Sequence, residues 1–260
     1  MRLTEETYFY TIALTTPHYF FKMKILKYLI ILLVLLIIVS SCKDDSASIN
    51  EDEATGSDTI SQASGKDGDT TDIKQLLKQY DPPGRVVWQK PEVVIGKMGD
   101  LSDKVVADIG AGSGFFSRRL AQQAKKVIAI ELDERLIHFM DSIKLVELKP
   151  EYQTRFETRL ATPGNSMLKP GEADIVLVVN TYIYIQDRIG YLKHLLSVLP
   201  EGGKVIIVAF KKKRIPIKYP PADIRLELYE VENELEAAGF SNFESDDCSL
   251  DYQYIVMAEK

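Results

Sequence analysis

The chain has 260 residues, 45% of them hydrophobic, and a formal net charge of −6 at pH 7. This length accommodates one α/β domain with additional segments, and the apolar content suffices for a complete core. An acidic balance without a basic stripe argues against a nucleic-acid partner, and the basic run of residues 211–214 is predicted to be a solvated strand end. The only two cysteines, Cys42 and Cys248, exclude a disulfide framework.

Residues 1–41 have the pattern of an export signal. Lys24 and Lys27 precede an unbroken apolar run, residues 28–39, which is shorter than the roughly 20 residues that a spanning helix needs. A positive flank, a short apolar centre and small residues behind it are typical of a secretory signal, so Met23 is predicted to be the true start. The alternative is a plain membrane anchor in which the following cysteine occurs by chance.

The segment Val-Ser-Ser-Cys that ends at Cys42 resembles the lipobox of bacterial lipoproteins, which implies that Cys42 is lipidated. Residues 43–45 (Lys-Asp-Asp) resemble the export signal of surface lipoproteins in Bacteroidetes-type bacteria. The resemblance implies a membrane-anchored lipoprotein on the periplasmic or surface face of the outer membrane. Residues 42–72 are rich in Ser, Asp, Glu, Gly and Thr and are predicted to be a disordered tether to a folded domain of residues 73–260.

Beyond residue 73, predicted strands alternate with predicted helices. Short apolar runs predict strands at 104–109, 126–131, 154–159, 174–180 and 204–210, and helical periodicity predicts helices at 115–123, 136–145, 188–199 and 222–238. Two more strands are predicted at 242–247 and 252–258. Because no crossover fits between these two, the last strand should run antiparallel. The pattern predicts an α/β fold with a seven-stranded, mostly parallel sheet, an antiparallel last strand and helices on both faces.

A glycine-rich turn follows the first predicted strand, with the sequence Asp-Ile-Gly-Ala-Gly-Ser-Gly from Asp108 to Gly114. Glycines allow a sharp turn and a close approach of the backbone to a ligand. In the dinucleotide pattern G-x-G-x-x-G the third glycine would stand where Phe115 is found, and no phosphate-binding G-x-x-x-x-G-K-[ST] run occurs.

The segment 105–114 resembles motif I of the class I S-adenosylmethionine (SAM)-dependent methyltransferases. Glu131 at the end of the second strand, Asp174 at the start of the fourth and the turn 199–203 (Leu-Pro-Glu-Gly-Gly) are similar to the same family in order and spacing. The resemblance extends over residues 79–260. Residues 88–91 (Trp-Gln-Lys-Pro) resemble a bacterial branch of the family that has W-Q-x-P upstream of motif I. This resemblance implies a Rossmann-like class I methyltransferase fold, SAM as cofactor and an unidentified methyl acceptor.

The resemblance also implies a set of cofactor-binding residues. Glu131 is expected to accept hydrogen bonds from the ribose hydroxyls, with a helix cap as the alternative, and Leu132 to pack beside the adenine. Asp108 is expected to hold the loop or contact the amino-acid end of SAM. The amide oxygen of Asn165 can accept a hydrogen bond from the adenine amino group, and a turn role is an equal alternative. The expected backbone contacts come from the turn residues Gly110, Ala111, Gly112 and Gly114.

The acceptor side departs from the related branch, which often carries D-x-Y-H-H at the end of the fourth strand. Here residues 180–184 read Asn-Thr-Tyr-Ile-Tyr, so no catalytic base is identified. Asn180 and Tyr182 are candidates for positioning an acceptor, with simple filling of the strand edge as the alternative. His138 and His194 lie in predicted helices and are expected on the surface or in packing roles, and no metal site is expected.

Two functions of different classes follow. The first is SAM-dependent methyl transfer to an unidentified acceptor. The second is a non-catalytic, methyltransferase-like binding module on a membrane lipoprotein, which the missing histidines and the uncertain supply of SAM outside the cytoplasm favour. An NAD-dependent oxidoreductase is disfavoured by Phe115 and by the antiparallel last strand.

Overall fold

The computed structural model describes residues 70–260, with side chains from residue 73 onward. The predicted signal peptide, Cys42 and residues 43–69 of the predicted tether lie outside the described residues. The first described element, helix α1 (Thr70–Tyr80), begins three residues before the predicted start of the domain. Within residues 70–260, no helix is long and apolar enough to cross a membrane.

After α1 and two short helices, the described chain runs through seven strands from residue 105 onward, and helices separate most of them. The helices are α2 (Arg85–Gln89), α3 (Pro91–Gly96), α4 (Ser117–Leu120), α5 (Glu134–Glu147), α6 (Pro150–Gln153), α7 (Arg188–Val198) and α8 (Leu228–Ala238). The strands are β1 (Val105–Ile109), β2 (Lys126–Glu131), β3 (Phe156–Leu160), β4 (Ile175–Val179), β5 (Lys204–Phe210), β6 (Ser241–Asp246) and β7 (Gln253–Glu259). Short 3₁₀ turns cover Tyr182–Tyr184 and Ala222–Ile224.

All seven strands join one sheet in the order β3-β2-β1-β4-β5-β7-β6. Strands β3, β2, β1, β4 and β5 pair in parallel, whereas β7 pairs antiparallel with both β5 and β6. The predicted fold class is therefore confirmed, including the antiparallel last strand. The strand order changes direction between β1 and β4, since β2 and β3 lie on one side of β1 and the later strands lie on the other. Ligands of such sheets bind at the carboxyl ends of the strands on either side of this point.

Helices cover both faces of the sheet, as predicted. On one face, α3, α4 and α5 contribute Ile95, Leu120 and Met140 to a buried cluster with β1, β2, β4 and β5. On the other face, α7 and α8 contribute Leu195 and Leu235 to a second cluster. The central strands are buried on both sides, which explains why they are continuous apolar runs without alternation.

Two helix predictions were wrong in extent. The predicted helix 115–123 contains only the four residues of α4, because the i→i+3 hydrogen bonds of Gln122 and Gln123 tighten the chain as it turns toward β2. The predicted helix 222–238 is broken at Arg225, whose backbone is extended, and α8 begins only at Leu228 after the capping box of Glu227 and Glu230.

The loop of residues 211–221, here named the β5 loop, corrects a third prediction. Lys211 is buried rather than solvated, and its ammonium group donates to the carbonyls of Asp247 and Leu250 at 2.6 and 2.9 Å. Burial of a lysine requires such pairing, which the chain segment before β7 provides. Only Lys212, Lys213 and Arg214 remain exposed, as predicted for the basic run.

Candidate active site at the carboxyl edge of the sheet

The loop after β1 turns sharply through three glycines. Gly110, Gly112 and Gly114 have φ angles of 69°, 59° and 76°, in the left-handed region that residues with a Cβ rarely adopt. The amides of Gly110 and Ala111 both donate to the carbonyl of Ile130 in β2, at 2.8 and 3.0 Å. The loop therefore has the conformation that the glycine spacing predicts, and it is fixed to the end of the neighbouring strand.

Glu131, the last residue of β2, connects this loop to the start of α5. Its buried carboxylate accepts hydrogen bonds from the amide of Gly112 at 2.9 Å, and from the amides of Leu132 and Asp133 at 2.7 and 3.3 Å. The helix-capping role belongs to Asp133, whose side chain accepts from the amide of Arg135. The structure thus brings Glu131 and the glycine loop together, as sequence reasoning expected, and places a carboxylate where β2 meets the loop.

Asp108 lies below the loop, almost completely buried in β1. Its carboxyl group accepts a hydrogen bond of 2.6 Å from the Ser117 hydroxyl. Burial raises the pKa of Asp108 to about 6, although the Ser117 hydrogen bond and the nearby Arg85 guanidinium act in the opposite direction. The hydrogen bond links β1 to α4, the elements on either side of the glycine loop. The two roles expected for Asp108, holding the loop or contacting the amino-acid end of SAM, stay predictions.

The raised pKa of Asp108 predicts a specific pH dependence of stability. Between pH 4 and pH 6 the native state keeps a proton that the unfolded state has lost, so ionisation destabilises the fold as the pH rises. Relative to Asp108→Asn, the wild-type free energy of unfolding should fall by roughly 3 kcal/mol across this window. Urea denaturation of both proteins from pH 3.5 to pH 7.5 measures this difference. A constant difference across that range contradicts the prediction.

Two side chains that sequence reasoning missed lie against the glycine loop. A methyl group on Gly110 would fall 2.3 Å from Thr181 Oγ1, and one on Gly112 would fall 2.8 Å from Cδ1 of Tyr80. Tyr80 is the last residue of α1, and the sequence contains a pattern that predicts this helix. Ile73, Leu76, Leu77 and Tyr80 follow the i, i+3, i+4, i+7 spacing of an amphipathic helix.

Tyr80 belongs to a group of three tyrosines above the loop. Burial raises the pKa of Tyr184, with further contributions from the neighbouring phenols of Tyr219 and Tyr80. Burial, followed by the charge of Glu131, also raises the pKa of Tyr80. The phenols of Tyr80 and Tyr184 therefore stay protonated at neutral pH, where they can donate hydrogen bonds but do not act as bases.

The two remaining predicted cofactor contacts are Leu132, after β2, and Asn165, after β3. Leu132 is 55% exposed immediately after Glu131, so its side chain is free to cover a flat ligand. Asn165 lies in the loop after β3, and its amide oxygen accepts from the amide of Met167 at 2.8 Å. This is the geometry of a local turn, which was the alternative role for Asn165.

The two candidates for acceptor positioning have different surroundings. Asn180 has a φ of 58° at the end of β4, and its side-chain oxygen accepts from Gln253 Nε2 at 2.6 Å. Tyr182 is 1% exposed in the cluster under α7 and α8, and its hydroxyl donates to Glu234 at 2.6 Å, which also pairs with Arg188. Asn180 lies at the end of β4 and keeps both roles open, positioning an acceptor or filling the strand edge. The contacts of Tyr182 support a packing role, the alternative to acceptor positioning.

We expect Tyr182→Phe to lower the free energy of unfolding by about 1–2 kcal/mol, because Glu234 loses a buried hydrogen-bond donor. The affinity for a ligand at the glycine loop should not change. Tyr229→Phe, at a 61% exposed tyrosine of α8, is the matched control. Urea denaturation and calorimetric titration measure the two quantities, and a loss of affinity at unchanged stability would contradict the structural role.

The described residues include two histidines, and neither of them contacts the glycine loop or Glu131. His138 is exposed on α5 beside Glu134, and burial lowers the pKa of His194, whose Nε2 lies 2.9 Å from the Ser166 hydroxyl. Both agree with the expected surface or packing roles. Among residues 70–260, no group of three or more His, Cys, Asp or Glu side chains is arranged to hold a metal ion.

Comparisons with known proteins agree with this arrangement. Residues 107–207 match the family described as "Methyltransferase domain". The chain is 30% identical over 138 residues to the ribosomal RNA small subunit methyltransferase A of Koribacter versatilis, covering 53% of this chain and 39% of that protein. It is 28% identical over 128 residues to the ubiquinone biosynthesis O-methyltransferase of Leptothrix cholodnii, covering 48% of this chain and 50% of that protein. The chain thus spans half or less of these curated relatives.

Among solved structures, a SAM-dependent methyltransferase from Aquifex aeolicus superposes with a TM-score of 0.63. It is 23% identical and covers 74% of this chain and 98% of that one, which is a likeness of fold. The described domain thus has the fold of the class I SAM-dependent methyltransferases. Residues 107–207 are similar in sequence to the methyltransferase domain family.

Proposed function

We propose that this protein is a SAM-dependent methyltransferase. One observation carries the proposal: the amide of Gly112, at the centre of the glycine loop, donates to the buried carboxylate of Glu131. This contact joins a backbone free of side chains to a carboxylate at the edge where ligands of parallel sheets bind. Such a pair is suited to a ligand that combines an amino-acid end with a ribose.

The residues present fit this cofactor. The positive φ angles of Gly110 and Gly112, with Thr181 and Tyr80 packed against them, leave no room for a side chain at either position. The proposed cofactor would lie along the backbone of this loop. Glu131 would hold the ribose hydroxyls, and the exposed Leu132 would cover the adenine. When bound, SAM supplies an electrophilic methyl group on a sulfonium.

The acceptor side works by positioning rather than by proton abstraction. In the described part of the chain no histidine lies at this edge, and the phenols of Tyr80 and Tyr184 stay protonated because burial raises their pKa values. Orientation of two reactants alone contributes up to about 7–11 kcal/mol of barrier reduction, which suffices for an electron-rich acceptor. Asn180 and the tyrosine hydroxyls would orient that acceptor through hydrogen bonds.

Calorimetric titration of the full chain with SAM tests the cofactor half of this proposal. We expect saturable binding and a rise in the unfolding temperature, because a ligand of the native state stabilises it. Absence of both would contradict SAM binding. Binding without any methyl transfer would instead support the alternative, a non-catalytic module.

The acceptor half is tested with SAM carrying a labelled methyl group. The relatives named above act on ribosomal RNA or in ubiquinone biosynthesis, so lysate should be separated into RNA, protein, lipid and small-molecule fractions after the reaction. Label that appears in one fraction, and disappears with Gly112→Val, identifies the acceptor class. Equal label with the wild type and the variant in every fraction would contradict catalysis by this chain.

We further propose that Cys42 carries a lipid that anchors the protein to the outer membrane. The apolar run before Cys42 and the small residues at 40 and 41 support this. Radioactive fatty acid fed to producing cells should label the wild type and not Cys42→Ala. Cys248→Ala, at the exposed second cysteine, is the matched control and should keep the label. Label that persists in Cys42→Ala contradicts the anchor.

A further inference from the structure

The β5 loop concentrates positive charge beside the proposed active site. Residues 211–224 contain five cationic side chains and a single carboxylate, Asp223, in a chain whose net charge is −6. Lys212, Lys213, Arg214 and Lys218 are exposed. None of these four side chains makes a hydrogen bond or ion pair with another residue of the described domain.

The same loop is also apolar. Ile215 and Ile217 are half-buried between the cations, Tyr219 is 57% exposed, and Ile224 just beyond the loop is 41% exposed. Nucleic-acid phosphates would make favourable contacts with the cations but not with the isoleucines. A lipid surface makes favourable contacts with both, since cations pair with headgroups while aliphatic and aromatic side chains enter the acyl boundary.

The loop is held firmly in place. The Arg225 guanidinium, 3% exposed, donates to the carbonyls of Ile217 and Pro220 at 2.7–2.9 Å and to those of Lys211 and Lys213 at 3.4 Å. Lys211 is tied in turn to the segment before β7. Because four of its carbonyls are fixed by Arg225, the backbone of the loop is already ordered before binding, which lowers the entropic cost of docking.

The loop ends at the mouth of the proposed site. Tyr219 neighbours Tyr184 and Tyr80, and the ring of Tyr80 lies against Gly112. A surface that receives the loop would therefore also face the acceptor side of the glycine loop.

We propose that the β5 loop docks the domain onto an anionic lipid surface. Lys212, Lys213, Arg214 and Lys218 pair with headgroup phosphates, while Tyr219 and the isoleucines enter the interface. Docking does not require methyl transfer. A consequence that rests on the proposed function is that the acceptor reaches the site from the membrane, as an amphiphile.

The test places a fluorescent reporter in the loop of the full chain, as Tyr219→Trp. Brominated phosphatidylcholine quenches tryptophan only at the depth of the acyl chains. We expect quenching of Trp emission in vesicles with 30% phosphatidylglycerol, and at least fivefold less in pure phosphatidylcholine. In the reporter background, combined Lys212→Gln, Lys213→Gln, Arg214→Gln and Lys218→Gln should reduce quenching to the phosphatidylcholine level, because each cation contributes roughly a fivefold factor at the surface.

The matched control removes four exposed cations elsewhere in the domain, at Lys125, Lys149, Lys169 and Lys193. It changes the net charge equally and shares residues 1–69 with the other variants, so it should keep the quenching. Quenching that is absent with phosphatidylglycerol, or equal in the loop and control variants, overturns the proposal. Binding of a 30-nucleotide RNA that is lost only in the loop variant, without lipid quenching, would make the loop a nucleic-acid contact and also overturn it.

Discussion

Gly112→Val is expected to weaken SAM binding at least 100-fold, about 2.8 kcal/mol. Gly112 has a φ of 59°, a conformation in which a β-branched residue is strongly disfavoured. Its new side chain would also begin 2.8 Å from the ring of Tyr80, so either the loop or the ring must move. Both movements disturb the backbone that would meet the cofactor and the amide that donates to Glu131.

Gly171→Val separates this effect from backbone strain in general. Gly171 has a φ of 70°, and a Cβ there would meet no atom within 4 Å. Both variants should lose stability in urea denaturation, whereas only Gly112→Val should lose affinity in calorimetric titration. Should the valine variant not fold, Gly112→Ala provides the same comparison with less strain. Wild-type affinity in a folded Gly112 variant would contradict the placement of the cofactor at this loop.

Glu131→Ala is the second change with a large expected effect, also at least 100-fold in SAM affinity. The proposed ribose contacts would lose a charged acceptor, and each hydrogen bond to a charged group is worth about 1.5–3 kcal/mol. The amides of Gly112, Leu132 and Asp133 would lose their partner as well, which loosens the loop before any ligand arrives.

Glu131→Gln refines this prediction, since an amide oxygen still accepts from one amide while the charge is lost. We expect an intermediate affinity, on the order of tenfold below the wild type. Glu259→Ala is the control, because Glu259 ends β7 and pairs with Lys204. Its affinity for SAM should equal that of the wild type. Equal losses in the Glu131 and Glu259 variants would indicate a general effect on stability instead of a contact with the ligand.

Much of the fold was predictable because its determinants are local. Each central strand is a short apolar run, since it is buried on both faces, and each run ends at a turn residue. The antiparallel β7 was predictable because too few residues separate it from β6 to form a crossover. The breaks at residues 121 and 225 were not predictable, because apolar periodicity continues through both positions.

Some residues of the candidate site were likewise expected from the sequence, and others were found only in the structure. Gly110, Gly112 and Glu131 were expected from the resemblance to motif I and to the family's second strand. The structure brings them together because the turn after β1 has positive φ angles that favour glycine, and the end of β2 lies next to that turn. Tyr80 and Tyr219 were not, since they come from segments outside the motif. Tyr182 sits where an acceptor contact was expected, yet its hydroxyl pairs with Glu234, 52 residues away.

The sequence by itself determined the order of the elements, the glycine turn and the carboxylate beside it, since hydrophobic periodicity and backbone conformation act over a few residues. Only the tertiary structure decided which side chains from distant segments meet. In the folded domain the ring of Tyr80 lies against Gly112, Lys211 is buried, and Arg225 hydrogen-bonds to the backbone of the β5 loop. Such contacts depend on how whole elements pack together, and no local pattern encodes them.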